Sequence, residues 1–119
     1  MEEKVIKPWG YYVDHVRTDG LVVKTITVYP RERLSLQRHH WRGEHWYVVS
    51  GRGLAMFGTD GEMTVRLSPG GSINVAPKQW HRLVNDGDVN LVVVEVQTGH
   101  CDEDDIDRIE DDYGRVPNV

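Results

Sequence analysis

Two short segments of the sequence carry most of the side chains that could bind a metal ion. The first contains Gln37, His39 and Glu44, and the second, residues 71–81, ends at His81. Imidazole nitrogens suit Zn, Fe, Ni and Co, and carboxylate or amide oxygens also accept Mn. Two imidazoles, one carboxylate and one amide oxygen leave coordination positions open for a substrate. The sequence therefore predicts one divalent ion (Zn, Mn, Fe, Ni or Co) held by these four side chains.

Short β-strands are the elements that must bring these segments together. Turn signals containing glycine or proline recur every 8–12 residues, and runs rich in β-branched and aromatic residues lie between them. The runs are residues 21–29, 44–50, 62–67, 72–76 and 90–97. No stretch before residue 100 shows a helical period. The pattern predicts an all-β sandwich or barrel of about eight to ten strands, with a short helix at most over residues 102–112.

Alternation along the strands predicts which side chains face inward. His39 lies on one face of its strand, and Arg42 lies on the other. After a predicted turn at Arg42 and Gly43, Glu44 begins the inner face of the next strand. If these faces meet that of His81, the predicted ligands converge inside one barrel. The alternative is a polar barrel mouth in which the histidines only satisfy hydrogen bonds.

Length and charge limit the class of protein. The 119 residues fit a single domain, residues 1–119. The formal net charge is −5, and residues 102–112 account for it with eight acids and one arginine. The remainder is nearly neutral and has no basic stripe, so we expect no nucleic-acid partner. A small-molecule ligand such as a sugar phosphate is compatible with this charge.

The terminal and apolar segments bear on location. The first ten residues are charged and lack the apolar stretch of a secretory signal. The longest fully apolar run, residues 91–94, is far too short for a membrane span. The single cysteine, Cys101, permits no internal disulfide, which suits a reducing compartment. We therefore expect a cytoplasmic protein without a membrane partner, and exposed strand edges favour a homodimer.

The two histidine-containing segments resemble the two motifs of the cupin superfamily. The matching residues are Gln37, His39, Glu44 and Gly51 in the first motif and Gly71, Pro77, His81 and Asn85 in the second. More narrowly, residues 7–115 resemble the cupin domain of type II phosphomannose isomerases (mannose-6-phosphate isomerases), here as a stand-alone domain. The sharpest matches are the Pro-Trp-Gly start in residues 7–10 and the terminal block in residues 103–115. Residues 23–28, 34–37, 44–51, 81–83 and 95–99 also match. The resemblance implies a double-stranded β-helix, or jelly-roll barrel, with a short C-terminal helix or extension.

The resemblance also implies an activity, the interconversion of mannose 6-phosphate and fructose 6-phosphate by a metal-dependent isomerase. Such a reaction needs a proton carrier that serves C1 and C2 of the sugar. The candidate carriers are Lys24, His40 and His45. The candidate partners of the sugar phosphate are the cations Lys24, Arg42, Arg82 and Arg115. Strand parity places His45 opposite Glu44, which argues against a direct role for His45.

The sequence departs from the family pattern near the predicted site. Trp41 stands where the family usually has a third consecutive histidine, and the loop from Pro77 to His81 is one residue shorter. Trp41 and Trp80 could narrow the mouth of the site. Two alternatives to the isomerase stay open: a non-catalytic cupin that binds a sugar or regulates a partner, and another metal-dependent cupin enzyme such as an oxygenase, which also uses two histidines and a carboxylate.

Overall fold

The computed structural model describes residues 3–115, which form eleven β-strands and no helix. The strands are β1 (Lys4–Lys7), β2 (Gly10–Arg17), β3 (Leu21–Val28), β4 (Leu36–Arg38), β5 (Arg42–Ser50), β6 (Gly53–Phe57), β7 (Met63–Leu67), β8 (Ser72–Val75), β9 (His81–Val84), β10 (Leu91–Gly99) and β11 (Asp107–Glu110). Each of the five predicted runs overlaps one strand. The count exceeds the expected eight to ten because five of the strands, β1, β4, β8, β9 and β11, have only three or four residues. Within residues 3–115 no helix is long and apolar enough to span a membrane.

The strands form two antiparallel sheets. The six-stranded sheet has the order β1-β2-β3-β10-β5-β8, and the five-stranded sheet has the order β11-β4-β9-β6-β7. The inner faces of both sheets contribute to one hydrophobic core, which includes Trp46, Val48, Leu83, Leu91 and Val93. The all-β class predicted from the sequence is confirmed.

Strand β10 illustrates how alternation positions the functional side chains. Every second residue from Leu91 to Gln97 is buried, and the valines between them are half-buried on the outer face. The strand pairs with both β3 and β5, and the register places Glu95 opposite Lys24 and Trp46. Directly paired residues share a face of the sheet. The polar ends of the three strands therefore meet at one end of the barrel interior.

The acidic segment after β10 forms an extension that returns to the five-stranded sheet. Asp102 begins a turn, in which its side chain accepts a hydrogen bond from the Asp104 N–H at 2.9 Å and its carbonyl accepts one from the Asp105 N–H at 3.1 Å. Such local hydrogen bonds compete with a helix. The chain then pairs with β4 as β11. The helix considered for residues 102–112 is therefore wrong, and the C-terminal extension is confirmed.

Candidate metal centre

His39, Glu44 and His81 converge in the interior at the polar end of the barrel. One potential ligand atom from each lies within 4.8 Å of the others. His39 Nε2 is 3.3 Å from Glu44 Oε2, and His81 Nε2 is 3.6 Å from Glu44 Oε1. All three side chains are at most 3% exposed. Three of the four predicted ligands thus come together from β5, β9 and the loop after β4, and we call them the His–Glu–His cluster.

Backbone carbonyls orient both imidazoles. The Nδ1 atom of His39 donates to the Asp105 carbonyl at 2.7 Å, and that of His81 donates to the Gln79 carbonyl at 2.8 Å. Because a carbonyl oxygen only accepts, Nδ1 carries the proton of each neutral ring. Each Nε2 therefore presents a lone pair to the cluster, as in histidines that bind metals. The loop before β9 is tied to the first histidine by a hydrogen bond of 2.6 Å from the Lys78 N–H to the His39 carbonyl.

The chemistry of this cluster fits a metal ion. His81 Nε2 is buried and finds no hydrogen-bond partner in the described part of the chain, an arrangement that costs free energy unless a ligand pairs with it. Burial lowers the pKa of His81; burial together with the nearby Arg42 cation lowers that of His39 to about 4. Both imidazoles are therefore neutral at neutral pH, which is the form that binds metals. Two imidazoles and a carboxylate suit Zn, Mn, Fe, Ni or Co.

A cavity of about 390 Å³ opens beside the cluster. This volume lies within the range of small-molecule sites. Its lining includes five cationic side chains, Lys7, Lys24, Arg42, Arg108 and Arg115. It also includes four acidic ones, Glu44, Glu95, Glu103 and Asp104. A cavity so rich in charged groups suits a polar small molecule rather than an apolar one.

Comparison with known proteins identifies the family of this chain. The family model described as mannose-6-phosphate isomerase C-terminal matches residues 1–111. The chain belongs to this family. Alginate biosynthesis protein AlgA of Pseudomonas aeruginosa is 46% identical over 115 residues, and mannose-1-phosphate guanylyltransferase ManC of Salmonella typhimurium is 42% identical over 117 residues. These matches cover 95% and 98% of this chain but 23% and 24% of the relatives, so the chain spans about a quarter of their length.

Solved structures give the fold of this mannose-6-phosphate isomerase C-terminal family member. Capsular polysaccharide assembling protein CapF of Staphylococcus aureus matches with a TM-score of 0.79 and 19% identity, over 92% of this chain and 33% of CapF. A Klebsiella pneumoniae protein with a double-stranded β-helix domain matches with a TM-score of 0.73 and 19% identity, over 91% of this chain and 85% of that protein. At these identities the likeness shows the fold alone. The predicted cupin double-stranded β-helix is confirmed.

Gln37, the fourth predicted ligand of this cupin, lies next to the cluster. It lines the cavity, and the register pairs it with His81 of β9. Its side-chain oxygen accepts a hydrogen bond from Ser35 Oγ at 2.9 Å. Ser35 therefore holds the Gln37 amide close to the three clustered ligands.

Arg42 is buried against the cluster of this family member. Its Nε and Nη2 atoms donate to Glu44 Oε2 at 3.1 and 3.0 Å, and Nη2 also lies 3.1 Å from His39 Nε2. The predicted turn and the predicted opposite face are wrong, because β4 ends at Arg38 and β5 begins at Arg42, so alternation does not continue between them. For a metal ion to bind His39 Nε2, the Arg42 guanidinium would have to move away from the lone pair of that nitrogen.

Lys24 joins the cavity to the acidic extension. Its ammonium group lies 3.2 Å from Glu103 Oε1 and 4.0 Å from the centroid of the Tyr12 ring. Glu103 also accepts a hydrogen bond of 2.9 Å from Arg17. Burial alone would raise the pKa of Glu103, but the Lys24 cation and the bond from Arg17 outweigh it and hold this pKa at about 2. Both side chains of this ion pair line the cavity.

Two of the three predicted proton carriers lie outside the cavity. His40 Nε2 contacts Asp107 Oδ2 at 2.7 Å, on the side of β11. His45 is exposed, and its Nδ1 atom contacts Asn74 Oδ1 at 2.6 Å on the outer face of the six-stranded sheet. The parity argument against His45 agrees with this position. Lys24 is the member of the trio that lines the cavity.

The other predicted phosphate-binding arginines differ in position. Arg82 does not line the cavity, because its guanidinium donates to the Leu34 carbonyl and to the carboxylate and carbonyl of Glu110 at 2.8 to 3.0 Å. It fastens β11 to the five-stranded sheet. Arg115 does line the cavity, where its Nε donates to Asp111 Oδ2 at 2.7 Å.

The two tryptophans near the predicted site do not narrow its mouth. Trp41 is 64% exposed, and neither Trp41 nor Trp80 is among the residues that line the cavity. Trp80 packs against the guanidinium of Arg38, whose central carbon lies 4.6 Å from the ring centroid. The expectation that they shape the opening is therefore wrong.

Glu95 is a site residue that sequence reasoning missed. It is buried and lines the cavity, and its Oε1 accepts a bond of 3.0 Å from the same Trp46 N–H that contacts Glu44 Oε1 at 3.0 Å. Gln97 donates to its other oxygen at 2.7 Å. Burial and the Glu44 carboxylate raise the pKa of Glu95 to about 7. The signal was available, because Glu95 is in phase with Leu91 on an otherwise apolar strand.

Proposed function

We propose that this chain is a metal-dependent sugar-phosphate isomerase that interconverts mannose 6-phosphate and fructose 6-phosphate. The observation that carries the proposal is the buried His–Glu–His cluster beside a cavity rich in cationic groups. Membership in the mannose-6-phosphate isomerase C-terminal family supports the substrate class. The proposal includes a cytoplasmic homodimer whose ligand is a small sugar phosphate, with no nucleic-acid or membrane partner.

In the proposed enzyme, His39 Nε2, His81 Nε2 and the Glu44 carboxylate would hold one divalent ion, with the Gln37 amide as a fourth ligand. A bound ion of this kind polarises a carbonyl group and stabilises the negative charge that develops on an enediolate. With an ion bound there, Arg42 would have to leave the lone pair of His39 and could keep its bonds to the Glu44 carboxylate. Its guanidinium would then add a second positive charge beside the cluster.

Proton transfer between C1 and C2 is assigned to Lys24. This residue is buried and lines the cavity, whereas His40 and His45 lie outside. The neutral amine of Lys24 would take the proton from one carbon, and the ammonium so formed would return it to the other. Glu103 and the Tyr12 ring fix the position of the ammonium group. Glu95 lies opposite it in the register of β3 and β10, so both side chains belong to one wall of the cavity.

The direct test is an assay of the purified chain for conversion of mannose 6-phosphate to fructose 6-phosphate. The assay is run before and after chelation and after single divalent ions are restored. We expect turnover that chelation abolishes and one or more ions restore, and no turnover in Glu44→Gln. His45→Gln, which changes an exposed side chain, is the matched control and should behave as wild type. Turnover that survives chelation would contradict metal dependence, and inactivity with every ion would contradict the isomerase.

One observation favours a second candidate, a non-catalytic sugar-binding cupin. The Arg42 guanidinium contacts both His39 and Glu44, so it supplies a positive charge to the same two side chains that a metal ion would bind. Elemental analysis of the purified protein separates the two candidates. Nearly one metal ion per chain supports the isomerase. A metal-free protein that binds mannose 6-phosphate without converting it supports the binding module.

A further inference from the structure

The cations that line the cavity differ in how their charge is balanced. Lys24, Arg42 and Arg115 each donate a hydrogen bond to a carboxylate at 3.2 Å or less. Arg108 has no carboxylate within salt-bridge distance among residues 3–115, and its Nε donates to the neutral Ser35 hydroxyl at 3.2 Å. The terminal nitrogens of its guanidinium are not engaged by any hydrogen bond in that range.

The surroundings of Arg108 are electrostatically unfavourable for a lone cation. Burial and the positive charge of Arg115 lower the pKa of Arg108, and Asp111 offsets this only in part. The Asp111 carboxylate is already bonded to Arg115 through its backbone N–H and its guanidinium, both at 2.7 Å. Lys7 of β1 lines the same cavity and adds another positive charge. An anion beside Arg108 would therefore be strongly attracted.

The sheet register relates Arg108 to the His–Glu–His cluster. Arg108 of β11 pairs with Gln37 of β4, which pairs with His81 of β9. Paired residues share one face of the sheet, so the three side chains form a row along the interior. Two strand spacings separate the first and last backbone positions, roughly 10 Å. The Ser35 hydroxyl links the row, because it accepts from Arg108 Nε and donates to Gln37 Oε1.

We propose that Arg108, assisted by Lys7, binds the phosphate group of a phosphomonoester whose opposite end reaches the His–Glu–His cluster. The terminal guanidinium nitrogens of an arginine match pairs of phosphate oxygens. In a hexose 6-phosphate the phosphate lies at the far end of the carbon chain from C1 and C2, as the row from Arg108 to His81 requires. The sugar part of this assignment rests on the proposed function. The phosphate part rests on the unbalanced guanidinium alone.

This assignment gives the C-terminal extension a function in ligand binding. Arg108 reaches the cavity because β11 pairs with β4, and Arg82 holds β11 in place through Glu110. Arg82, a phosphate-binding candidate from the sequence, therefore stabilises the position of β11. The arginine that faces the ligand is instead one that the sequence analysis did not select.

The test compares the binding of mannose 6-phosphate, mannose and inorganic phosphate to wild type, Arg108→Gln and Arg38→Gln by isothermal titration calorimetry. Arg38→Gln is the matched control: it makes the same change on the neighbouring strand, where Arg38 is bonded to Asp107 at 3.0 Å outside the cavity. We expect Arg108→Gln to weaken mannose 6-phosphate binding by about 10- to 100-fold, the usual effect of losing charge-assisted hydrogen bonds. Metal content and mannose binding should not change.

A second variant, Arg108→Lys, keeps the charge without the paired donors and should bind mannose 6-phosphate with intermediate affinity. It carries the test if Arg108→Gln does not fold. In the isomerase assay, Arg108→Gln should raise KM far more than it lowers kcat.

The outcomes separate the two proposals. A wild type that binds mannose 6-phosphate without converting it refutes the isomerase and supports the phosphate site if Arg108→Gln weakens that binding. The phosphate site is overturned if the wild type binds neither mannose 6-phosphate nor phosphate, or if the folded Arg108 variants bind mannose 6-phosphate as tightly as wild type. It is also overturned if the variants lose the metal ion, because Arg108 would then act by positioning Gln37.

Discussion

The two ends of the barrel interior are built by the same strands and are chemically opposite. At the apolar end, β3, β5 and β10 bury Val28, Val48 and Leu91. At the polar end the same strands bury Lys24, Glu44 and Glu95, joined there by His39, Arg42 and His81. For the side chains on strands, alternation decides that they face inward, and position along the strand decides which end of the barrel they reach. The core and the candidate site are therefore successive segments of the same strands.

The apolar end therefore contributes mainly to stability, and the polar end contributes mainly to the chemistry of the site. Burying an aliphatic side chain contributes about 1.5–3 kcal/mol, so the apolar end stabilises the fold. Buried charges lose hydration, and their pairing repays this cost only in part. We therefore expect substitutions at the apolar end to change the free energy of unfolding, and substitutions at the polar end to change metal and ligand binding.

The largest effect on stability is expected from Leu91→Ala at the apolar end. Leu91 is fully buried, so the truncation removes apolar contacts and leaves a cavity that costs about 2–5 kcal/mol. Urea unfolding measures the loss, and elemental analysis of the folded fraction measures the metal. The separation of the two ends predicts unchanged metal content per folded chain. A folded variant that has lost its metal would show that the two ends are coupled.

Acidification should destabilise the metal-free protein through the polar end. The pKa of His39 is about 4 in the folded state and near 6.5 in the unfolded state, so between these values only the unfolded chain takes up the proton. Each such imidazole lowers the free energy of unfolding by about 1.4 kcal/mol per pH unit as the pH falls through this window. The lowered pKa of His81 acts in the same direction. The raised pKa of Glu95 opposes this between about 4.5 and 7. Because two imidazoles destabilise the folded state on acidification and one carboxyl opposes them, we expect a net loss of stability.

Urea unfolding at pH 6.5, 5.5 and 4.5 measures this dependence. His39→Gln should reduce the slope, and His45→Gln, which replaces an exposed histidine, should leave it unchanged. A metal-free wild type that is equally stable at all three pH values would contradict the prediction that His39 and His81 are buried as neutral imidazoles.

His81→Gln should separate metal binding from stability. We expect metal affinity to fall by at least about 10- to 100-fold, because an imidazole ligand is lost. The metal-free variant should lose about 0.5–1.5 kcal/mol, because the hydrogen bond from His81 Nδ1 to the Gln79 carbonyl is removed, whereas Nε2 has no partner to lose in the described structure. Competition with a chelator measures the affinity, with His45→Gln as the control. Unchanged affinity would place the metal elsewhere.

The smallest effect is expected from Glu103→Gln. Its folded pKa of about 2 lies below the unfolded value near 4.5, so the carboxylate stabilises the protein above pH 4.5, and this contribution is lost as the pH falls toward 2. The side chain is 46% exposed, so solvent screens the pair with Lys24 and the loss at pH 7 should not exceed about 1 kcal/mol. The difference between variant and wild type should disappear near pH 2. A difference that persists there would mean that Glu103 acts by packing and not by charge.

The strands and three clustered ligands could be predicted because they depend on local sequence. Alternation and turn residues located the runs that became β3, β5 and β10. The spacing of His39, Glu44 and His81 follows motifs of the family. Glu95 was equally accessible, because a charged residue in phase with buried aliphatic ones must also be buried.

The positions of Arg42 and Arg108 depend on structure that local patterns do not contain. Arg42 faces the cluster because the strand is interrupted between β4 and β5, which resets the alternation. Arg108 faces the cavity because β11 pairs with β4, a contact between segments about 70 residues apart in the sequence. The helix considered for this region was wrong because Asp102 favours a turn and because β4 offers an edge for pairing.

The central claim is that the polar end of the barrel is a metal-dependent isomerase site. The most direct test is to titrate the metal-free protein with a divalent ion and follow both bound metal and turnover of mannose 6-phosphate. We predict that turnover rises in proportion to bound metal and saturates at one ion per chain, in wild type and in folded Leu91→Ala but not in His81→Gln. Turnover without metal, or full metal binding without turnover, would contradict it.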